Sequence, residues 1–175
     1  TFERELRFLD MFSGSYSRSD GLAAMLRAAG WKHVQQIDND GEKGGGWNHD
    51  LLNDERFVKL LEAAKRGDFD AIHFGFPCST GSLSRLFDAT KSGADNPGPP
   101  MVRDAQHPDG LPEDEIDPRY IRELRNANEL LRRTVEIAIA ARRSPARTRI
   151  TFEQPADRAA EGTVSYSEDL SHHGS

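Results

Sequence analysis

Short apolar runs and longer stripes of helical spacing take turns along this chain. Arg7-Phe8-Leu9-Asp10-Met11-Phe12 is the first run, and its break at Ser13-Gly14 predicts a strand that opens into a turn. After Ser19-Asp20-Gly21, the residues Leu22, Ala23, Met25, Leu26 and Ala29 recur at helical spacing up to Gly30. His33-Val34-Gln35-Gln36-Ile37 reads as a second strand, ending in Asp38-Asn39-Asp40. Gly44-Gly45-Gly46 predicts a loop, and Trp47-Asn48-His49-Asp50 a short edge strand. Asn53 or Asp54 is placed to cap a helix carrying Phe57, Leu60, Leu61 and Ala64, which Gly67 ends. Residues 70–76 form the third predicted strand, and Gly75-Phe76-Pro77-Cys78-Ser79 opens at its end.

Residues 88–118 differ in kind. Asn96-Pro97-Gly98-Pro99-Pro100 and His107-Pro108-Asp109-Gly110-Leu111-Pro112 forbid regular structure, and a stretch this long inside a compact domain is either functional or disordered. A long Gly/Pro-rich loop over 88–117 is therefore expected, mobile over 88–112, with its acids toward solvent. Asp117-Pro118 then reads as a helix start, an N-cap followed by proline at the first helical position. Ile121, Leu124, Ala127, Leu131, Val135, Ala138 and Ile139 carry an amphipathic helix to about Arg143, and Ile150-Thr151-Phe152 is a last strand before Glu153-Gln154-Pro155. Strands alternating with helices predict an α/β fold, a Rossmann-like parallel sheet with helices on both faces in a single domain over 1–175. No internal repeat is visible.

Composition narrows the function classes. The chain has 175 residues, 23 Lys and Arg against 29 Asp and Glu, and a net charge of -6. That balance argues against a protein that grips nucleic acid over its whole surface, because phosphate contacts need clustered cations. A local patch is still allowed, since Arg132, Arg133, Arg142, Arg143, Arg147 and Arg149 fall close together. Mean hydropathy is -0.70, and no run of about 18 apolar residues exists, so no membrane span is expected. The single cysteine excludes an internal disulfide and fits a reducing, intracellular compartment, nuclear if the source is a eukaryote. His172-His173 have no cysteine partners, so no metal site is expected.

The predicted strands break at Phe12-Ser13-Gly14, Asp38-Asn39-Asp40 and Phe76-Pro77-Cys78, which a parallel sheet aligns along one edge. A Gly-containing turn entering a helix approaches a ligand closely, and an acid after the second strand can bind ribose hydroxyls. This logic alone does not separate NAD from S-adenosylmethionine, and Gly14 and Gly21 do not make the GxGxxG spacing. Cys78 by itself reads equally as a small apolar residue at a strand end.

The order of these pieces resembles DNA cytosine-C5 methyltransferases, and more closely the shortened methylase-like domains of that type associated with mobile elements. Leu9-Asp10-Met11-Phe12-Ser13-Gly14 resembles the D-L-F-x-G opening of the S-adenosylmethionine site, and Asp38-Asn39-Asp40 the acid-x-acid whose first acid holds the ribose. His49-Asp50-Leu51 is similar to the G-D-I segment whose aspartate meets the adenine amino group. Gly75-Phe76-Pro77-Cys78-Ser79 resembles G-F-P-C-Q, the catalytic loop, and Phe152-Glu153-Gln154-Pro155 stands where the family has E-N-V. The resemblance covers roughly residues 7–158, and the cysteine motif is its one specific element. It implies a class I methyltransferase fold with S-adenosyl-L-methionine held by Phe12, Ser13, Gly14, Asp38, Asn39, Asp50, Leu51 and Pro77. It implies Cys78 and Glu153 as catalytic residues, and nucleic acid, DNA rather than RNA, contacted by Ser79, Ser82, Arg85 and Arg103.

The implied chemistry explains the residue types. A thiolate at carbon 6 of cytosine makes carbon 5 nucleophilic enough to take a methyl group, and a carboxylic acid at N3 stabilises the charge so built. In a duplex the base is flipped out, which suits a mobile loop over residues 79–117. Departures are also present. Ser15-Tyr16 replaces glycines, Asn39 replaces an apolar residue, Ser79 a glutamine, and Gln154 an asparagine. The later strands, the Q-x-R segment and the target-recognition domain have no counterpart, so the sheet is expected to stop before the family's last strands. Three alternatives follow: a degenerate domain that binds without catalysing, a tRNA cytosine-C5 methyltransferase, and a nicotinamide-binding Rossmann protein.

Overall fold

The computed structural model describes residues 5–77, 80, 99–104 and 106–153. Four strands form one parallel sheet in the order β2-β1-β3-β4: β1 Arg7–Met11, β2 His33–Ile37, β3 Ala71–Phe74 and β4 Arg149–Phe152. Among the described residues, three α-helices lie between them: α1 Leu22–Ala28, α2 Asp54–Arg66 and α3 Pro118–Arg143. The chain runs from β1 outward to β2, then returns past β1 to β3 and on to β4. Helices α2 and α3 pack together on one face of the sheet, and the right-handed crossover rule for parallel strands puts α1 on the other. This is an α/β architecture compatible with a Rossmann-like fold.

Local chemistry sets the element ends. Asn53 caps α2 by accepting from the amides of Glu55 and Arg56, and Gly67, at a φ of 77° that L side chains rarely adopt, stops it. Asp117 caps α3 by accepting from Arg119 N, with Pro118 at the first helical position. Trp47-Asn48-His49 is a correction to the expected edge strand. It forms a 3-10 turn, because Gly46 at φ 123° breaks extension and His49 N closes back onto Gly46 O at 2.7 Å. Among the described residues, β2 is therefore the sheet's outer strand on that side.

The core lies on the α2/α3 face. Leu9, Met11, Ile72 and Phe74 meet Leu60, Leu61 and Ala64 of α2 and Ile137, Ala138 and Ala141 of α3. The stripe on α3 differs from the expected one: Leu124, Ala127, Thr134, Ile137, Ala138 and Ala141 are buried, while Leu131, Val135 and Ile139 are exposed. Steps of four residues drift by roughly 40° each around a helix, which carries that second row off the contact face. In the Gly/Pro segment, residues 99–104 and 106–116 hold no helix or strand, as expected. They are nonetheless anchored, since Val102 and Ile116 are buried against Leu124 and Leu111 N donates to Val102 O at 2.9 Å.

Candidate functional site

The carboxyl ends of β1 and β3 mark the point where the chain's two directions of travel diverge, the place where open α/β sheets hold ligands. Phe12 follows β1 with a left-handed φ of 58°, uncommon for a side chain of this size, and Gly14 takes φ 69° with open space around it. The Phe12 ring meets Phe76, which follows β3, edge to face at 5.7 Å. Ser13 N reaches Ile37 O at 3.2 Å, continuing the β1–β2 ladder past its ends.

Asp38 is the centre of this end. It is buried at 8% exposure, and its carboxylate accepts from Gly14 N at 2.9 Å and from Asp40 N at 3.0 Å. A carboxylate has about four acceptor positions, and these two bonds use half of them. Its carbonyl accepts from Gly46 N at 3.2 Å, and Gly45 crosses so closely that a Cβ there would stand 1.6 Å from Asp38 O. Asn39 is exposed beside it. Asp50 is half-buried, with one carboxylate oxygen accepting from Leu52 N at 2.8 Å, and Leu51 is core, its carbonyl held by Arg133 at 3.0 Å. The turn after β1, the end of β2 and the Asp50 segment are thus brought together by direct hydrogen bonds and packing.

The other end of the expected site is only partly described. Pro77 is exposed after β3; Cys78, Ser79, Ser82 and Arg85 lie outside the described residues, as do Gln154 and Pro155. Glu153 follows β4, with its amide on Phe74 O at 2.9 Å and its carboxylate 77% exposed, 3.9 Å from His73 Nε2. Arg103, expected to meet phosphate, is turned onto protein groups, Thr80 Oγ1 at 3.1 Å and Pro108 O at 2.6 Å.

Several residues here were not singled out from sequence. Gln36, Asp10, His73 and Thr151 stand side by side across the four strands, on the sheet face away from α2 and α3. Asp10 is 3% exposed and its Oδ1 has no hydrogen-bond partner; burial pushes its carboxyl above the usual range, with His73 and Arg27 opposing. His73 Nδ1 lies 2.9 Å from Thr151 Oγ1. Tyr16 contacts Gln36, Asp38 and His49 through its hydroxyl, and burial raises that hydroxyl's pKa. A polar residue inside each apolar strand was the available signal for the row. Nothing in the sequence marked Tyr16 except that it stands in a glycine's place.

Among the described residues, no group of His, Cys, Asp and Glu side chains could hold a metal ion, and no helix is long and apolar enough to cross a membrane. Fold and site define an α/β protein whose candidate residues gather at the carboxyl edge of a parallel sheet. Comparison with protein-family models, with curated proteins and with solved structures finds no match for the chain.

Proposed function

We propose that this chain is an S-adenosylmethionine-dependent methyltransferase domain of the cytosine-C5 type, acting on DNA. The observation that carries the reading is Asp38: a buried carboxylate at the end of β2, tied to the Gly14 amide at the switch point, with acceptor capacity to spare. The residues suit a nucleoside cofactor. Asp38 would accept from the ribose hydroxyls, Asp50 from the adenine amine, and the open Gly14 turn would admit the chain that joins them. The cofactor supplies an electrophilic methyl group. Cys78 would add to the base, while Glu153, at the mouth of the adjacent strand, would hold a proton at N3. Its exposed carboxylate, close to His73, supports that role.

Calorimetry with S-adenosylhomocysteine, S-adenosylmethionine and NAD separates the cofactor classes, and binding of the first two alone is expected. Asp38→Ala should then weaken binding by about 1.5–3 kcal/mol, the value of a charge-assisted hydrogen bond. An oligonucleotide carrying 5-fluorocytosine should become covalently attached when the methyl donor is present, and Cys78→Ser should abolish the adduct without affecting cofactor binding. A protein that methylates normally without Cys78 sinks the mechanism. The second reading, a domain that binds without catalysing, is favoured by one contact: the Gly14 amide is already taken by Asp38. Cofactor binding with no adduct on either DNA or tRNA would select it.

A further inference from the structure

Tyr16 stands where the methyltransferase-like pattern has a glycine, and its hydroxyl has three partners. Oη lies 3.0 Å from Gln36 O, 3.0 Å from Asp38 N and 2.6 Å from His49 Nδ1. Its ring stacks on His49 with centroids 6.0 Å apart and covers Gly44, where a Cβ would come within 2.7 Å of the ring. Its own amide donates to Lys43 O at 2.9 Å.

The strand geometry explains what the hydroxyl replaces. Ile37 O accepts from Ser13 N, so it points toward β1. Gln36 O and Asp38 N, each one residue away, point to the opposite side, where no strand pairs with β2 among the described residues. A neighbouring strand would donate to the first and accept from the second. Tyr16 Oη does both, and Arg27 Nη2 caps Val34 O on the same edge at 3.0 Å. A phenol has one hydrogen. Asp38 N can only donate and Gln36 O can only accept, so all three contacts are satisfied together only when Tyr16 donates to Gln36 O and His49 Nδ1 donates to Tyr16.

We propose that Tyr16 is a positioning residue of the nucleoside site: it closes the open edge of β2, holds the Asp38 amide and fixes His49 in the Nδ1–H form. In a neutral ring of this form Nε2 is the acceptor, on the residue before Asp50 in the chain. The ligand part of this inference rests on the cofactor reading above; the hydrogen-bond assignment does not.

The free protein with isotope-labelled histidine tests it without ligand. In a long-range proton–nitrogen correlation spectrum of neutral rings, the His49 signals, identified by their loss in His49→Gln, should show the hydrogen on Nδ1. Tyr16→Phe should shift His49 toward the Nε2–H form and speed exchange of the Asp38 amide by about tenfold. An Nε2–H pattern in the parent protein, or an unchanged ring and amide in the variant, overturns the assignment. Tyr16→Phe should also bind S-adenosylhomocysteine about fivefold to tenfold more weakly. Equal affinity overturns the positioning of Asp38. If the parent protein binds no cofactor, the methyltransferase reading falls, and the histidine spectrum still decides on Tyr16.

Discussion

Replacing Asp10 by asparagine should stabilise this protein at neutral pH, although Asp10 lies in the middle of the sheet. The residue is 3% exposed, and its Oδ1 is buried without a partner. An unpartnered buried polar atom costs about 1–3 kcal/mol, and more when charged. Asparagine keeps the shape and leaves a neutral unpartnered atom, so the expected gain is the difference, about 1–2 kcal/mol. Burial raises the Asp10 carboxyl above its usual range, so the folded state keeps a proton that the unfolded chain has released. Stability therefore falls as pH rises through that window, and the penalty is absent below the unfolded chain's value. Urea unfolding of both proteins at about pH 7 and about pH 3 reads this directly, with Asp10→Asn ahead at the first and level at the second. A variant less stable than the parent at about pH 7 and level with it at about pH 3 would refute the reasoning, because it would mean that the carboxylate is paired in the folded state.

Three further outcomes follow from the packing. Thr148→Val removes the donor to Phe69 O at 2.7 Å inside the core and should cost about 1–3 kcal/mol in urea unfolding. Gly45→Ala places a methyl against the Asp38 carbonyl, so S-adenosylhomocysteine binding should be lost while the cooperative unfolding transition survives; retained binding would separate the loop from the site. Arg132 and Arg133 hold the Glu129 carboxyl down to about 2, so its contribution is present above the ordinary carboxylate range and lost on acidification toward that value. The pair is partly exposed, so Glu129→Gln should change stability only slightly at neutral pH, and the difference should vanish in acid.

The strands, helices and caps were legible because each rests on local chemistry. Asn53, Gly67 and Asp117-Pro118 act on backbone groups within a few residues of themselves. The Trp47 segment misled because its apolar and aromatic residues suit a strand, while the glycines before it decide the backbone. The buried face of α3 was only half right, since periodicity gives a stripe but not its orientation on α2. Asp38 was readable from its place after a strand. Tyr16 was not, because its role depends on which way Gln36 O and Asp38 N point, a property of pairing between distant segments.

The two faces of the sheet explain why the candidate site is rooted so deeply. One face is apolar on its inner strands, with Leu9, Met11, Ile72 and Phe74 against α2 and α3, and Gln35 of the outer strand β2 is its polar exception. The other carries the polar row Gln36, Asp10, His73 and Thr151, two residues before Asp38, Phe12, Gly75 and Glu153 at the strand ends. Parallel strands are ordinarily apolar on both faces, so a polar row that leaves a buried carboxylate oxygen unpartnered works against stability. Its cost falls beside the residues assigned to chemistry: His73 joins Thr151 at 2.9 Å to the neighbourhood of Glu153 at 3.9 Å. Local rules are broken where function and stability compete, and here the break runs from the interior of the sheet to its carboxyl edge. The row thus runs from Asp10 through His73 to the carboxyl edge, where the proposed function places Glu153.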